Sequence, residues 1–304
     1  MFDLKRRAMI LNELLARFGQ LQSHFQTTST RSKNLILLIA FVLLSVGVYI
    51  SISDNPEVLK RVNWDGIWSI LLVGVPLTIL LNALEFHLSG RMISVSFTPI
   101  KALEVTIIGS AANMLPLPGS TMVRIAALKL SGAGYKKSTV VTLLFAIAWI
   151  GAAFLLAGLV LSIFFGGILG YFLAVMGLAA LIIAGMVTRN TENRWKNYIW
   201  LLTLKFSIVM LDAVRIYWCF WALDIEVNLP QASVFVISSV VGSAASIVPA
   251  GLGVRELISA GIAPFVGITA SAGFLTATLN RIVGLSALLP MAGFLILLGR
   301  MRAA

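Results

Sequence analysis

The sequence predicts an all-α fold: a polytopic helical membrane protein with about six full spans plus two broken re-entrant helix hairpins in an inverted repeat. Three observations predict it. Of 304 residues, 59% are apolar and 12% charged, where soluble domains carry about 25% charged residues. Six stretches reach the length of about 20 mostly apolar residues that a crossing needs, near 34–52, 66–88, 138–163, 166–187, 198–222 and 268–298. Two further apolar stretches, near 102–128 and 231–265, are interrupted midway by Pro and Gly. This composition excludes a secreted disulfide scaffold, a disordered tail protein and an ordinary cytosolic enzyme, because none keeps so much apolar surface away from water.

Residues 1–33 read as a cytoplasmic amphipathic N-terminal segment. Phe2, Leu4, Met9, Leu11, Leu14, Leu15, Phe18 and Leu21 recur at near-helical spacing among Lys5, Arg6, Arg7 and Arg17, which suits a helix lying on the inner leaflet. The segment is too polar and too long for a cleaved signal peptide, so the amino terminus is expected to stay in the cytoplasm. Residues 34–300 then form one transmembrane domain. If both broken segments enter and leave on the same side, every connection obeys the positive-inside rule. Asp54, Glu57 and Asp65 lie outside with Lys60 and Arg61, then Arg91, Lys101, Lys129, Lys136 and Lys137 inside. The uncharged Gly166 turn is outside, Arg189, Arg194 and Lys196 inside, Asp224 and Glu226 outside, and Arg300 and Arg302 inside. Treating either broken segment alone as a full crossing destroys that agreement. Both termini are thereby expected on the cytoplasmic side of the membrane.

The net charge of +11 is what such loops produce, and no nucleic-acid partner is expected. Cys219 is the single cysteine, and His24 and His87 are the two histidines. No intramolecular disulfide, zinc or haem site is expected, nor any cofactor or metal. There is no Walker loop, dinucleotide fingerprint or Gly-x-Ser-x-Gly elbow in the sequence.

The two broken segments resemble each other. Gly109-Ser-Ala-Ala-Asn-Met-Leu-Pro116 and Gly242-Ser-Ala-Ala-Ser-Ile-Val-Pro249 share five of eight positions. Each Pro is followed by glycine breakers (Gly119; Gly251 and Gly253) and then by an arginine at membrane depth (Arg124; Arg255, beside Glu256). Three spans separate the segments, so the halves enter in opposite senses, as in transporters built from inverted repeats. A helix broken by Pro and Gly frees backbone groups that must be buried or line a polar cavity. Two half-helix ends near the midplane would offer partial positive charge to an anionic group.

Glu85, Glu104, Arg124, Lys205, Asp212, Arg215, Arg255, Glu256 and Arg281 fall within or at the edges of apolar segments. Each ionised group there costs at least roughly 2.5 to 3.5 kcal/mol at the bilayer centre, so they should face one another or a cavity. Asp212 and Arg215, three apart, are spaced to pair directly, with Lys205 two turns from Asp212 on nearly the same face. Arg281, preceded by Asn280, is too deep in the last span to snorkel and is expected in a cavity.

The residues resemble the transmembrane region of lysylphosphatidylglycerol synthase and its stand-alone flippase-like relatives, over about residues 35–300. Ser246-Ile-Val-Pro-Ala-Gly-Leu-Gly-Val-Arg-Glu256 is similar to the family's Pro-x-Gly-x-Gly-x-x-Glu stretch. Leu115-Pro-Leu-Pro-Gly-Ser-Thr-Met-Val-Arg124 looks like its earlier Pro, Gly and Arg motif, and Asn280-Arg281 like the arginine of its last long helix. Val62-Asn-Trp-Asp65 fits its aromatic approach to the second span. Many members carry an acidic residue just after the first motif's glycine; here Ser120 and Thr121 stand there, which leaves Arg124 without a local carboxylate. No soluble aminoacyl-transferase domain is expected after Ala304, and lysyl-lipid synthesis is not expected of this chain.

The resemblance implies lipid transport: a transporter rather than an enzyme, moving an anionic or polyprenyl-phosphate-linked lipid between leaflets as a flippase or scramblase. Arg124, Arg255 and Arg281 would hold the phosphate, with Asn280 and Arg215 beside them. Glu256, Glu104 and Asp212 would balance the arginines, select a cationic headgroup or take up a proton. The alternative is an integral-membrane enzyme, with Glu104 or Glu256 as base, or an accessory subunit in lipid-linked glycan or phospholipid biosynthesis. The expected partners are a membrane lipid or lipid-linked substrate. Small-residue faces serve internal packing as readily as a homodimer, and a biosynthetic enzyme is the other partner class.

Overall fold

A computed structural model describes residues 30–54, 56–57, 60–113, 119–189, 193–244 and 253–301, with side chains excepted at 30–37, 39–40 and 299–301. The chain is an all-α polytopic membrane protein, with no strand among the described residues. Its helices are α1 (Thr30–Asp54), α2 (Trp64–Arg91), α3 (Pro99–Ala112), α4 (Gly119–Leu130), α5 (Tyr135–Phe165) and α6 (Ile168–Thr188). There follow α7 (Arg194–Ala222), α8 (Leu229–Val234), α9 (Val236–Ala244), α10 (Val254–Ile262), a 3-10 turn (Ala263–Val266) and α11 (Ala270–Met301). Of the predicted N-terminal segment 1–33, residues 1–29 lie outside the described residues, and its last four belong to the start of α1.

A helix covers each of the six predicted stretches, and α2, α5, α6 and α11 are long and apolar enough to cross a membrane by length and composition. At 29 residues α7 has the length, but it carries Lys205, Asp212 and Arg215 close together. Such a helix must turn these groups inward. Conversely α6 exposes Tyr171, Phe172, Val175, Leu178 and Ile182, side chains suited to lipid contact.

Local chemistry sets several boundaries. Asn63 caps α2 by accepting from the Asp65 amide at 3.0 Å, and Thr98 caps α3 ahead of Pro99. In α2 a π-helical turn over Ile70–Gly74 precedes Pro76; a proline inside a helix lacks its amide donor and crowds the preceding turn, and the wider turn accommodates it. Between α5 and α6 the chain reverses at Gly166, whose φ of +59° is left-handed.

The broken segments are hairpins. In the first, Lys101 at the start of α3 donates to Ser131 just past α4 at 3.1 Å. Near the other end Gly109 faces Ser120, whose Oγ would lie 3.3 Å from an added Cβ. In the second, Gln231 donates to the Val266 carbonyl at 2.9 Å, while Arg255 donates to Ser239 at 2.6 Å and packs its stem on Gly242. Each hairpin therefore enters and leaves at one end, as the sequence predicts. Gly109 and Gly242, equivalent in the repeated motif, both face the returning helix, at Ser120 and Arg255 respectively. The first limb of the second hairpin is two helices, α8 and α9, rather than one, because the chain steps out of the α-helix at Phe235.

The hairpins enter from opposite ends. Helix α2 runs antiparallel to α7: the Asn63 amide meets the Ala222 carbonyl at 2.9 Å, and farther along Glu85 meets Lys205. The first hairpin follows from the Arg91 end, where Phe97 packs on Gly90. The second follows from the Ala222 end.

Candidate functional site

Helix α2 turns Thr78, Asn82 and Glu85 to one side, spaced four and three residues apart. Thr78 donates to the Gly74 carbonyl at 2.7 Å and Asn82 to the Thr78 carbonyl at 2.8 Å, which fixes both side chains along the helix. Opposite them α7 presents Lys205 and Arg215, ten residues apart and so roughly 15 Å along the axis. Two clusters form around these helices.

The first centres on Glu85, 2% exposed. Its Oε2 accepts from Lys205 at 2.7 Å, and its Oε1 accepts from Arg124 of α4. Arg124 also reaches Asn82 Oδ1 at 3.4 Å, and the Lys205 ammonium lies 5.4 Å from the Phe145 ring centre. The carboxylate missing beside Arg124 in its own motif is thus supplied by another helix. Glu85 and Lys205 were legible as intramembrane charges; Asn82 was not singled out.

In the second cluster Arg215 donates to Thr78 Oγ1 at 3.2 Å and to Asn280 Oδ1 at 2.7 Å. Its stem crosses Gly74, where a Cβ would come within 2.8 Å of Cγ. Arg255 bonds Ser239 and lies within electrostatic reach of both Arg215 and Arg281. Glu256 is fully buried. Its Oε2 accepts from the Gly253 amide at 3.0 Å, and its Oε1 stands 3.1 Å from Arg281 Nε as an ion pair.

Most of the predicted site residues therefore fall in one of the two clusters, Arg124 in the first and Arg215, Arg255, Glu256, Asn280 and Arg281 in the second. Asp212 does not pair directly with Arg215 and acts on it only at a distance. The long arginine side chain instead reaches α2 and α11, where two oxygens hold it. Glu104 is half-buried on α3 and joins neither cluster. Among the helix breakers, Gly119 packs so closely on Ala112 that a Cβ would collide with its backbone, and Gly253 has a φ of +80°. Pro116, Pro249 and Gly251 lie outside the described residues. The half-helix ends are already occupied in part: the Ser120 amide donates to Asn113 Oδ1 at 2.7 Å and the Gly253 amide to Glu256. The chain's own side chains take donors that the sequence reading offers to a ligand.

Two properties define what the region can bind. Arg124, Lys205, Arg215, Arg255 and Arg281 outnumber Glu85, Asp212 and Glu256, so positive charge is in excess. Arg124 Nε, Arg215 Nε, Arg255 Nε and Asn280 Nδ2 are buried donors with no partner. Groups of this kind are costly to bury unmet, and an anion rich in acceptor oxygens satisfies both deficits.

The same arrangement spans the stretch that compares with known proteins. Residues 187–292 match the family model of the lysylphosphatidylglycerol synthase TM region. The match covers α7 to α10 and most of α11, and so holds the whole second cluster except α2's Thr78, together with Lys205 of the first. It supports the resemblance carried by the Arg255-Glu256 and Asn280-Arg281 motifs. No curated protein and no solved structure matches the chain.

Proposed function

We propose that the protein is a flippase or scramblase of the bacterial inner membrane, with both termini cytoplasmic, that moves an anionic or polyprenyl-phosphate-linked lipid between leaflets. The observation that carries this reading is the excess of buried, donor-bearing cations between two hairpins entering from opposite ends. Arginine suits the task because its planar fork stays charged and grips phosphate oxygens in pairs. The phosphate passes along the arginines while the acyl chains stay in lipid. Glu85 and Glu256 hold the cations in place between ligands, which prevents them from standing unpaired in a low-dielectric interior.

The test is reconstitution into liposomes carrying a fluorescent anionic phospholipid or a short-chain polyprenyl phosphate in both leaflets, followed by dithionite quenching from outside. Wild-type protein is expected to quench well beyond half the signal, and Arg255→Ala and Arg281→Ala to reduce this at equal incorporation. Quenching that stops at half in protein-containing and empty vesicles alike excludes passive scrambling of those lipids.

A further inference from the structure

The first cluster contains one residue whose position is odd for a ligand contact. Lys205 is 4% exposed and Glu85 3%, counted over their side chains, whereas Arg124 is 16% exposed. Of the three side chains the arginine is the most exposed, and its buried Nε has no partner. Lys205 faces Glu85 and the Phe145 ring. A lysine in that setting costs several kcal/mol to desolvate before its pairing is counted, yet Glu85 has a partner in Arg124 without it.

We infer that Lys205 is a positioning residue: by neutralising Glu85 from behind, it leaves Arg124 with one uncompensated positive charge to take one singly charged phosphodiester group. This deepens the proposed transport reading and rests on it for the identity of the ligand as lipid. Without Lys205, Glu85 and Arg124 would neutralise each other and the guanidinium would have no net attraction for an anion. With it, the trio carries a charge of plus one. A phosphodiester carries one negative charge, whereas a phosphate monoester carries about −1.5 to −2 at neutral pH, so the trio matches the diester.

The second cluster repeats this electrostatic plan with different residues. Glu256 pairs with Arg281, and Arg255, on the returning helix like Arg124, bonds only a neutral hydroxyl. Around each hairpin a buried carboxylate pairs with a cation on a long helix outside it, Lys205 or Arg281, and the returning helix's arginine adds to the positive surplus; the second cluster holds Arg215 as well. The carboxylate comes from α2 in the first case and from α10 itself in the second, so the sequence repeat does not display the equivalence.

The experiment measures binding calorimetrically to detergent-purified full-length protein in an Arg255→Gln background, which removes the second cluster's returning-helix arginine and lowers its positive charge by one. The probes are dihexanoyl phosphatidylglycerol, dihexanoyl phosphatidic acid and inorganic phosphate. The parent is expected to bind the phosphodiester lipid in preference to the other two. Adding Lys205→Met is expected to weaken that binding at least about tenfold, which is about 1.4 kcal/mol. Adding Glu85→Gln to Lys205→Met restores the net charge and is expected to recover most of the affinity, an outcome no purely structural role produces. The inference is overturned if Lys205→Met binds like its parent, if the double substitution recovers nothing while remaining monodisperse, or if phosphatidic acid or free phosphate binds best. Transport in vesicles, run in parallel on the wild type, separates the two readings. This binding pattern without transport defeats the transport reading alone, and transport with a silent Lys205→Met defeats this inference alone.

Discussion

Glu256 and Glu104 show how differently two intramembrane carboxylates can be placed. Glu256 is fully buried against Arg281 and caps the start of its own helix. Glu104 is half-buried and outside both clusters. Removing one partner of a buried ion pair strands the other, at a cost of about 3–5 kcal/mol, whereas a change away from such features stays within about 0.5 kcal/mol. Glu256→Ala is therefore expected to lower the thermal midpoint in detergent by several degrees or to prevent folding, while Glu104→Ala leaves it nearly unchanged. Equal shifts in the two variants would contradict the assigned pairing. Which residues carry charge at depth was legible in the sequence. Their pairing was not, because spacing along one helix shows only local neighbours: Asp212 and Arg215 sit at pairing distance in sequence, yet Arg215 extends to Thr78 and Asn280. One interhelical signal was available, the polar spacing of Thr78, Asn82 and Glu85 within an apolar stretch, which marks a helix face that avoids lipid.

At the scale of elements, the hairpins were legible because two independent signals agreed, the Pro and Gly interruptions and the distribution of Lys and Arg in the loops. The division of the second hairpin's first limb into α8 and α9 left no comparable mark, since its apolar run is continuous through Phe235. The π-helical turn before Pro76 had a visible cause but not a visible form. Topology can be tested with single cysteines introduced at exposed positions after Cys219→Ala. Lys136→Cys is expected to label only from the cytoplasmic side, and Asp224→Cys and Phe265→Cys only from outside with a membrane-impermeant reagent. Labelling of Asp224→Cys and Phe265→Cys from opposite faces would remove the second re-entrant hairpin, since that hairpin is what lies between them.

Across the whole molecule, Arg215 joins the two opposed halves, because Thr78 belongs to the helix before the first hairpin and Asn280 to the one after the second. Arg215 thus ties α7 to both long helices, α2 and α11, that flank the hairpins. The α5–α6 seam is of another kind. Gly151, Gly158, Gly170 and Gly177 bring the two helices into backbone contact, and an added Cβ at Gly158, Gly170 or Gly177 would strike the facing main chain. Close packing through small residues is a general means of joining membrane helices. Spin labels at exposed Leu143 and Ile182 are therefore expected to keep one sharp distance with or without an anionic lipid, and a pair placed on α4 and α7 to change. A seam made of main chain has no rotamers to exchange and no alternative registry of equal fit. The pair behaves as a strut, and the rocking that the proposed transport requires would pivot against it.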